Sequence, residues 1–270
     1  MRVIGQKDLI NFINNSIDNF PRFCIICGPK GSGKRTIEYY IQDMLGIEKV
    51  NCGLKVNEVR NYINMAYTQN DRLCYVFEDC DDMSLNAKNA LLKVTEEPPK
   101  ESYFIMTVCD INKVLETLIS RGTVLKISPY SKEELIEYID YSEHKLTKDQ
   151  RDLVLKLCTY PGEIEDLLTY DIEEFYEYCE LILDNISRVP VANALKITSK
   201  FAVKDKGYDI RLVLNAIQHI AMQRLIEEKD TSYVEVIKLC SAYKVKNNSN
   251  TINKQMMMDD WVFSMRKALI

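Results

Sequence analysis

Histidine is nearly missing from this sequence: His144 and His219 are the only two in 270 residues. Catalysis centred on imidazole is therefore not expected. A positive charge excess is also missing, since the formal net charge is -5. Chains that grip nucleic acid alone usually show a basic balance, so any such contact must come from a local patch or from partners. No apolar run approaches the ~18 residues of a membrane span, and the N-terminus has no signal-peptide pattern. The nine cysteines, from Cys24 to Cys240, are odd in number and form no paired framework. They fit reduced thiols, and the expectation is a soluble, intracellular, cytoplasmic protein with no membrane partner. Cys24 and Cys27 have metal-like spacing, but they sit in an apolar run with no second pair following, which reads as core packing.

Glycine and proline are scarce, nine and seven residues, and their placement is informative. Three of the glycines fall between Gly28 and Gly33. Pro98, Pro99, Pro129, Pro161 and Pro190 punctuate the middle, and beyond Pro190 only Gly207 interrupts a run suited to long helices. With 46% hydrophobic and 28% charged residues the chain can build a real core, and at roughly 100–200 residues per domain it holds two or three domains. Apolar runs at Phe23–Cys27, Leu73–Phe77, Tyr103–Val108 and 123–127 read as strands. Amphipathic stretches at 7–17, 34–44, 56–67 and Leu85–Glu96 read as helices. That alternation over residues 1–128 predicts an α/β layer with a largely parallel sheet. After Pro129 the style changes. Ser131 with Glu134, and Thr147 with Gln150, form capping-box patterns ahead of short helices. Phe175, Cys179, Ile182 and Ile186 recur at helical spacing, as do Trp261, Met265 and Leu269. Packing within a bundle accounts for both stripes; the sharper reading is packing against other subunits.

The run Gly28, Pro29, Lys30, Gly31, Ser32, Gly33, Lys34 matches G-x-x-x-x-G-K. It lies between a buried strand and a helix, the context a phosphate-binding loop requires. Glycines let backbone N–H groups curl round phosphate oxygens, the helix N-terminus adds positive potential, and the lysine reaches the outer phosphates. The next position normally carries Ser or Thr, whose hydroxyl ligates magnesium. Here it is Arg35, with Thr36 one place later and about 100° further round the helix. A second strand ends in Glu78 and Asp79, the reverse of the Asp-Glu order that hydrolysing ATPases of this type use. Glu78 overreaches a magnesium position and Asp79 is a methylene short for positioning water, and a 1 Å misplacement can cost ~100-fold in rate. The candidate nucleotide site therefore comprises Gly28 through Thr36 with Glu78 and Asp79. It suits ATP or ADP, while the pattern argues against magnesium.

The stretch Cys80-Asp81-Asp82-Met83-Ser84-Leu85-Asn86-Ala87-Lys88-Asn89-Ala90-Leu91-Leu92-Lys93-Val94-Thr95-Glu96-Glu97-Pro98-Pro99 closely resembles the signature of the bacterial DNA polymerase III clamp-loader AAA+ family, roughly D-x-M-x-x-x-A-x-N-A-L-L-K-x-x-E-E-P-P. The resemblance extends to Ile4-Gly5-Gln6, Val56-Asn57-Glu58-Val59-Arg60, Phe104-Ile105-Met106-Thr107 and Leu118-Ile119-Ser120-Arg121-Gly122, the last like a Ser-Arg-Cys motif with glycine for cysteine. It implies an AAA+ P-loop core (1–128), a small helical lid (129–170) and a helical collar for oligomerisation (171–270). It also implies a ring of five subunits that places a sliding clamp on primed DNA. The pattern is most like the delta-prime members, which commonly carry decayed ATP sites yet donate the Ser-Arg-Cys arginine to a neighbour. By that resemblance Arg121 is the arginine finger. The lid position where motors carry an arginine on their own ATP is Glu163, and the first-sensor residue is Cys109 or Asp110. Many members carry a four-cysteine zinc module between the loop and the second strand; only Cys52 falls in that interval, so no zinc and no other metal is expected. Lys88 and Lys93 lie off the apolar stripe of their helix, either as solvated surface lysines or as phosphate contacts to DNA. The alternatives are an active AAA+ motor subunit with magnesium-dependent hydrolysis, and a small-molecule P-loop kinase, which would need acceptor-binding residues and a basic lid.

Overall fold

The computed structural model describes residues 2–69, 71–99, 101–198, 207–247 and 252–269. They form two compact units, Met1–Glu134 and Leu135–Ile270. The first unit runs α1 (Lys7–Asn15), β1 (Phe23–Cys27), α2 (Lys34–Leu45), β2 (Glu48–Cys52), α3 (Val56–Thr68), β3 (Leu73–Phe77), α4 (Leu85–Glu96), β4 (Tyr103–Val108), α5 (Glu116–Ile119) and β5 (Thr123–Lys126). The sheet is parallel throughout, in the order β2-β3-β4-β1-β5.

Residue alternation sorts the strand side chains into two layers. Phe23, Ile25, Tyr75, Phe77, Phe104 and Met106 pack on one face with Val59 and Ile63 of α3 and Ala87, Leu91 and Val94 of α4. Cys24, Ile26, Cys74, Val76 and Ile105 pack on the other with Ile13 of α1 and Ile37, Ile41 and Leu45 of α2. Cys24 is fully buried and Cys27 nearly so, as core residues. A strand covered on both faces needs no alternation of polar residues, which is why Phe23–Cys27 reads as one apolar run.

Strand β2 is a departure from the sequence reading. Its five residues, Glu48, Lys49, Val50, Asn51 and Cys52, contain a single aliphatic side chain. It is an edge strand paired only with β3, Lys49 opposite Cys74 and Asn51 opposite Val76. Such a strand carries little hydrophobic signal, yet it brings Lys49 to the site described below. The other differences are of one or two residues: α1 stops at Asn15 and β5 at Lys126, with buried Ile127 donating its N–H to the Cys27 carbonyl at 2.8 Å.

After the start of α6 (Lys132–Tyr141), the second unit is helical: α7 (Lys148–Leu157), α8 (Pro161–Leu167), α9 (Ile172–Asn185), α10 (Val191–Thr198), α11 (Ile210–Glu228), α12 (Ser232–Asn247) and α13 (Lys254–Ala268). Both capping boxes form. Glu134 N donates to Ser131 Oγ and Ser131 N to Glu134 Oε2; Gln150 N donates to Thr147 Oγ1 and Thr147 N to Gln150 Oε1. Phe175, Cys179, Ile182, Ile186, Trp261 and Met265 are all buried within this unit, so packing inside the bundle accounts for them. Among the described residues no helix is long and apolar enough to cross a membrane.

Candidate functional site

The loop between β1 and α2 needs left-handed backbone at two positions. Gly31 has φ 78° and Gly33 φ 95°, conformations that a Cβ disfavours. Gly28 is required for a different reason: a Cβ there would lie 2.6 Å from Ser32 Oγ. These turns deliver the chain into α2, whose first residue, Lys34, is buried. Its Nζ donates to the carbonyls of Gly28 (2.8 Å) and Pro29 (3.1 Å) and lies 3.4 Å from Cys109 Sγ. Cys109, just past β4, is thus the first-sensor candidate that faces the loop. Asp110 instead caps the turn after β4, accepting from Asn112 N at 3.0 Å. Burial pushes the Cys109 thiol up, with Lys34 pulling against it.

The end of β3 is electrostatically closed. Arg35 Nε donates to Glu78 Oε2 at 2.8 Å and its Nη2 lies 2.6 Å from the same oxygen. Lys49 Nζ donates to Glu78 Oε1 at 2.7 Å and sits 2.7 Å from Glu38 Oε1. Burial opposes the charge on Glu78, but its bonds to Lys49 and Arg35 outweigh burial and hold its carboxyl below the usual range. The stabilisation from this network is present above the ordinary carboxylate range and is lost as pH falls through the depressed value. Asp79 is exposed, in left-handed backbone at φ 53°, and its N–H donates to Thr107 Oγ1 at 2.9 Å.

Phosphate fits the loop. The two turns leave Ser32 Oγ buried with no hydrogen-bond partner among the described residues, and Lys34 and the α2 N-terminus supply positive potential. Magnesium does not fit. It takes near-octahedral oxygen ligands, commonly one or two carboxylates, whereas both oxygens of Glu78 are held by cations and an arginine stands where the ligating hydroxyl belongs. Thr36 Oγ1 lies on the Gly33 side of the loop, 3.9 Å from where a Gly33 Cβ would be. Among the described residues no group of three or more His, Cys, Asp or Glu side chains is placed to hold a metal ion.

At the other end of the unit, Arg121 follows α5. Its side chain is 40% exposed, and its guanidinium donates to the Thr117 carbonyl at 3.1 Å and lies 3.3 Å from Glu96 Oε1. Gly122 is explained by packing: a Cβ there would lie 2.6 Å from Cδ1 of buried Phe23. The Phe23 ring occupies the space that a cysteine would use.

Residues 7–131, most of this first unit, match the family model described as DNA polymerase III, delta subunit. The chain is also 24% identical over 261 residues to DNA polymerase III subunit gamma of Buchnera aphidicola subsp. Acyrthosiphon pisum (strain APS), covering 82% of this chain and 72% of that protein. These matches support a place in the bacterial clamp-loader AAA+ family. Similarity to DNA polymerase III subunit delta' of Buchnera aphidicola subsp. Baizongia pistaciae (strain Bp) is 30% over 129 residues, 46% of this chain and 37% of that one. Among solved structures, a DNA polymerase III gamma subunit-related protein from Thermotoga maritima matches with a TM-score of 0.52 at 14% identity, over 96% of this chain and 98% of that chain. That likeness bears on the fold alone.

Lys88 is not the solvated surface lysine that its spacing suggested. Its spacing put it off the apolar stripe, but the side chain is buried, and Nζ donates to the Lys113 carbonyl at 2.7 Å and to the Asp81 carbonyl at 3.5 Å. A long stem can cross an apolar surface and place its ammonium on carbonyls beyond it. Lys88 therefore pins the turns after β3 and β4. Lys93 is exposed, 4.5 Å from the Tyr67 ring centroid. Lys88→Met is expected to cost about 1–3 kcal/mol, the usual consequence of leaving buried acceptors unmet, with DNA affinity of the assembled complex unchanged. Lys93→Glu is expected to leave stability intact and to weaken DNA binding with a smaller salt slope. Thermal melts and salt-dependent DNA titrations check the pair.

Three further site residues were not found from sequence. Lys49 lies on the unrecognised edge strand. Thr107 holds Asp79. Asp81 accepts from the N–H groups of Cys109 (2.8 Å) and Asp110 (3.0 Å), fixing the turn beside Lys34; its signal was the aspartate of the D-x-M motif. Glu163 is buried, accepts from Thr159 N at 2.7 Å and Tyr160 N at 3.2 Å, and receives Asn215 Nδ2 at 3.2 Å. It caps α8 and ties it to α11 inside the second unit.

Proposed function

We propose that this chain is a delta-prime-like clamp-loader subunit that assembles with other loader subunits, binds ATP or ADP in its own loop with little or no hydrolysis, and donates Arg121 to ATP held by a neighbour. The observation that carries the reading is the closure of Glu78 by Arg35 and Lys49 in the same unit that leaves Arg121 at the surface. A carboxylate committed to two cations neither holds a metal nor orients water, whereas an arginine held by a solvated partner is available to another subunit. In this reading the chain works in the cytoplasm with a sliding clamp and primed DNA as partners of the whole complex. Residues 1–128 serve as the AAA+ core, 129–170 as the lid and 171–270 as the collar, and Lys93 is the candidate phosphate contact to DNA.

The test on the isolated protein is a phosphate-release assay with ATP and magnesium. Release is expected at background and unaltered by Lys34→Ala. Magnesium-dependent release that Lys34→Ala abolishes would instead establish a motor subunit. Co-purification with loader subunits at a mass consistent with a five-subunit ring is the corresponding test of assembly.

A further inference from the structure

Four charged side chains form one chain at the sheet end beside the loop. Arg35 is the second residue of α2, Glu78 directly follows β3, Lys49 sits on β2, and Glu38 lies about one turn further along α2. Each contact is between 2.6 and 2.8 Å. The two cations and two carboxylates sum to zero, and the members are unequally tied down. Glu38 is fully buried, takes Gln42 Nε2 at 2.9 Å, and shares its oxygen with Lys49, which is 12% exposed. Arg35 is 69% exposed. Lys49 is thus a fixed partner of both carboxylates, and Arg35 is a removable partner of Glu78. If Arg35 turns away, Glu78 keeps its bond to Lys49, which then faces two carboxylates, and the guanidinium is free to bond an anion bidentately, as it does with phosphates generally. It is the residue directly after the loop lysine, on the first turn of a helix whose N-terminus already favours phosphate. A divalent cation would have to enter against both positive groups and take a carboxylate from them.

We propose that Arg35, backed by Lys49, takes the electrostatic place of the divalent cation, so that the loop binds the polyphosphate of a nucleoside di- or triphosphate without magnesium. This rests on the reading above that the loop holds nucleotide without hydrolysing it. No bond is made or broken; the event is exchange of one arginine contact, from Glu78 to phosphate oxygen.

Calorimetric titration of the full chain with ATP and with ADP, in excess magnesium and in EDTA, tests it. The expected result is a Kd that agrees within about twofold between the two conditions. Arg35→Thr is expected to weaken binding in EDTA about tenfold, the loss of one charge-assisted contact, and to make binding magnesium-dependent. Arg35→Lys is expected to stay magnesium-independent. The proposal is overturned if magnesium tightens wild-type binding about tenfold or more, if neither nucleotide binds in either condition, or if Arg35→Thr binds like wild type in EDTA. These outcomes are separate from the phosphate-release and Arg121 experiments, which read turnover by this chain and by its neighbour. A silent Arg121→Ala would leave the binding data standing, and a magnesium-dependent Kd would leave the arginine finger in place.

Discussion

An assembled loader carrying Arg121→Ala in this subunit is expected to lose turnover at the adjoining ATP site by about 10³–10⁵-fold, the range over which an arginine supplied in trans acts in phosphoryl transfer. Developing negative charge on the transferred phosphoryl group has to be met by fixed donors, and a guanidinium offers a planar pair that an ammonium cannot reproduce. Arg121→Lys should therefore recover only a small part of the loss. Folding of the subunit should be nearly untouched. The contacts that Arg121 makes within its own chain are a solvated pair with Glu96 and one carbonyl, and surface pairs are worth about 0–1 kcal/mol. A single-turnover assay on the complex, beside a thermal melt of the isolated variant, separates a catalytic loss from a folding one. Turnover within about twofold of wild type would remove the arginine-finger assignment.

The contrast between Arg121 and the loop gives the subunit its character. In one compact unit, the side chains that would serve its own nucleotide are turned to each other, Arg35 to Glu78 and Lys49 to Glu38. The arginine that would serve another chain is turned outward. Sequence alone located both ends of this arrangement, because each lies in a motif: a glycine run whose φ angles only glycine adopts readily, and a Ser-Arg pair in fixed register after the D-x-M helix. Strands β1, β3 and β4 were legible because they are buried and almost wholly apolar along their length. Lys49 was not legible, since β2 is an edge strand with one aliphatic residue and no pattern separates it from a loop. Lys88 was misread because helical spacing says which way a Cα faces, not where a four-carbon stem ends. Arg35 was noticed as a departure, but its meaning needed the Glu78 distance. A missing hydroxyl reads as a defect in the sequence; in the fold it is one half of an ion pair.

The largest stability effect is expected at Arg211. Its side chain is 9% exposed, and its guanidinium bonds Asp166, lies 3.5 Å from Asp209 Oδ2 and approaches Glu163 Oε1 at 4.0 Å. These carboxylates come from α8 and from the cap of α11, so the arginine is the counter-charge at the junction of those two helices. Arg211→Met keeps the apolar stem and removes the charge. Breaking a fully buried pair by deleting one partner costs about 3–5 kcal/mol; here Asp166 is 41% and Asp209 26% exposed and only Glu163 is buried, so solvent screening brings the expected cost to about 2–3 kcal/mol. For a unit of this size that corresponds to a fall in Tm on the order of 10 °C. Glu163→Gln should cost much less, since an amide oxygen still accepts from Thr159 and Tyr160. By the resemblance drawn from the sequence, Glu163 stands where motor subunits carry an arginine for their own ATP. Here its carboxylate bonds Asn215 of α11. Arg211→Met is therefore expected to impair assembly of the complex in proportion to unfolding of this unit, with phosphate release by the isolated chain unchanged at background. Circular-dichroism melts and size-exclusion of the reconstituted complex check both; a variant within about 1 kcal/mol of wild type would show that the junction is held by packing alone.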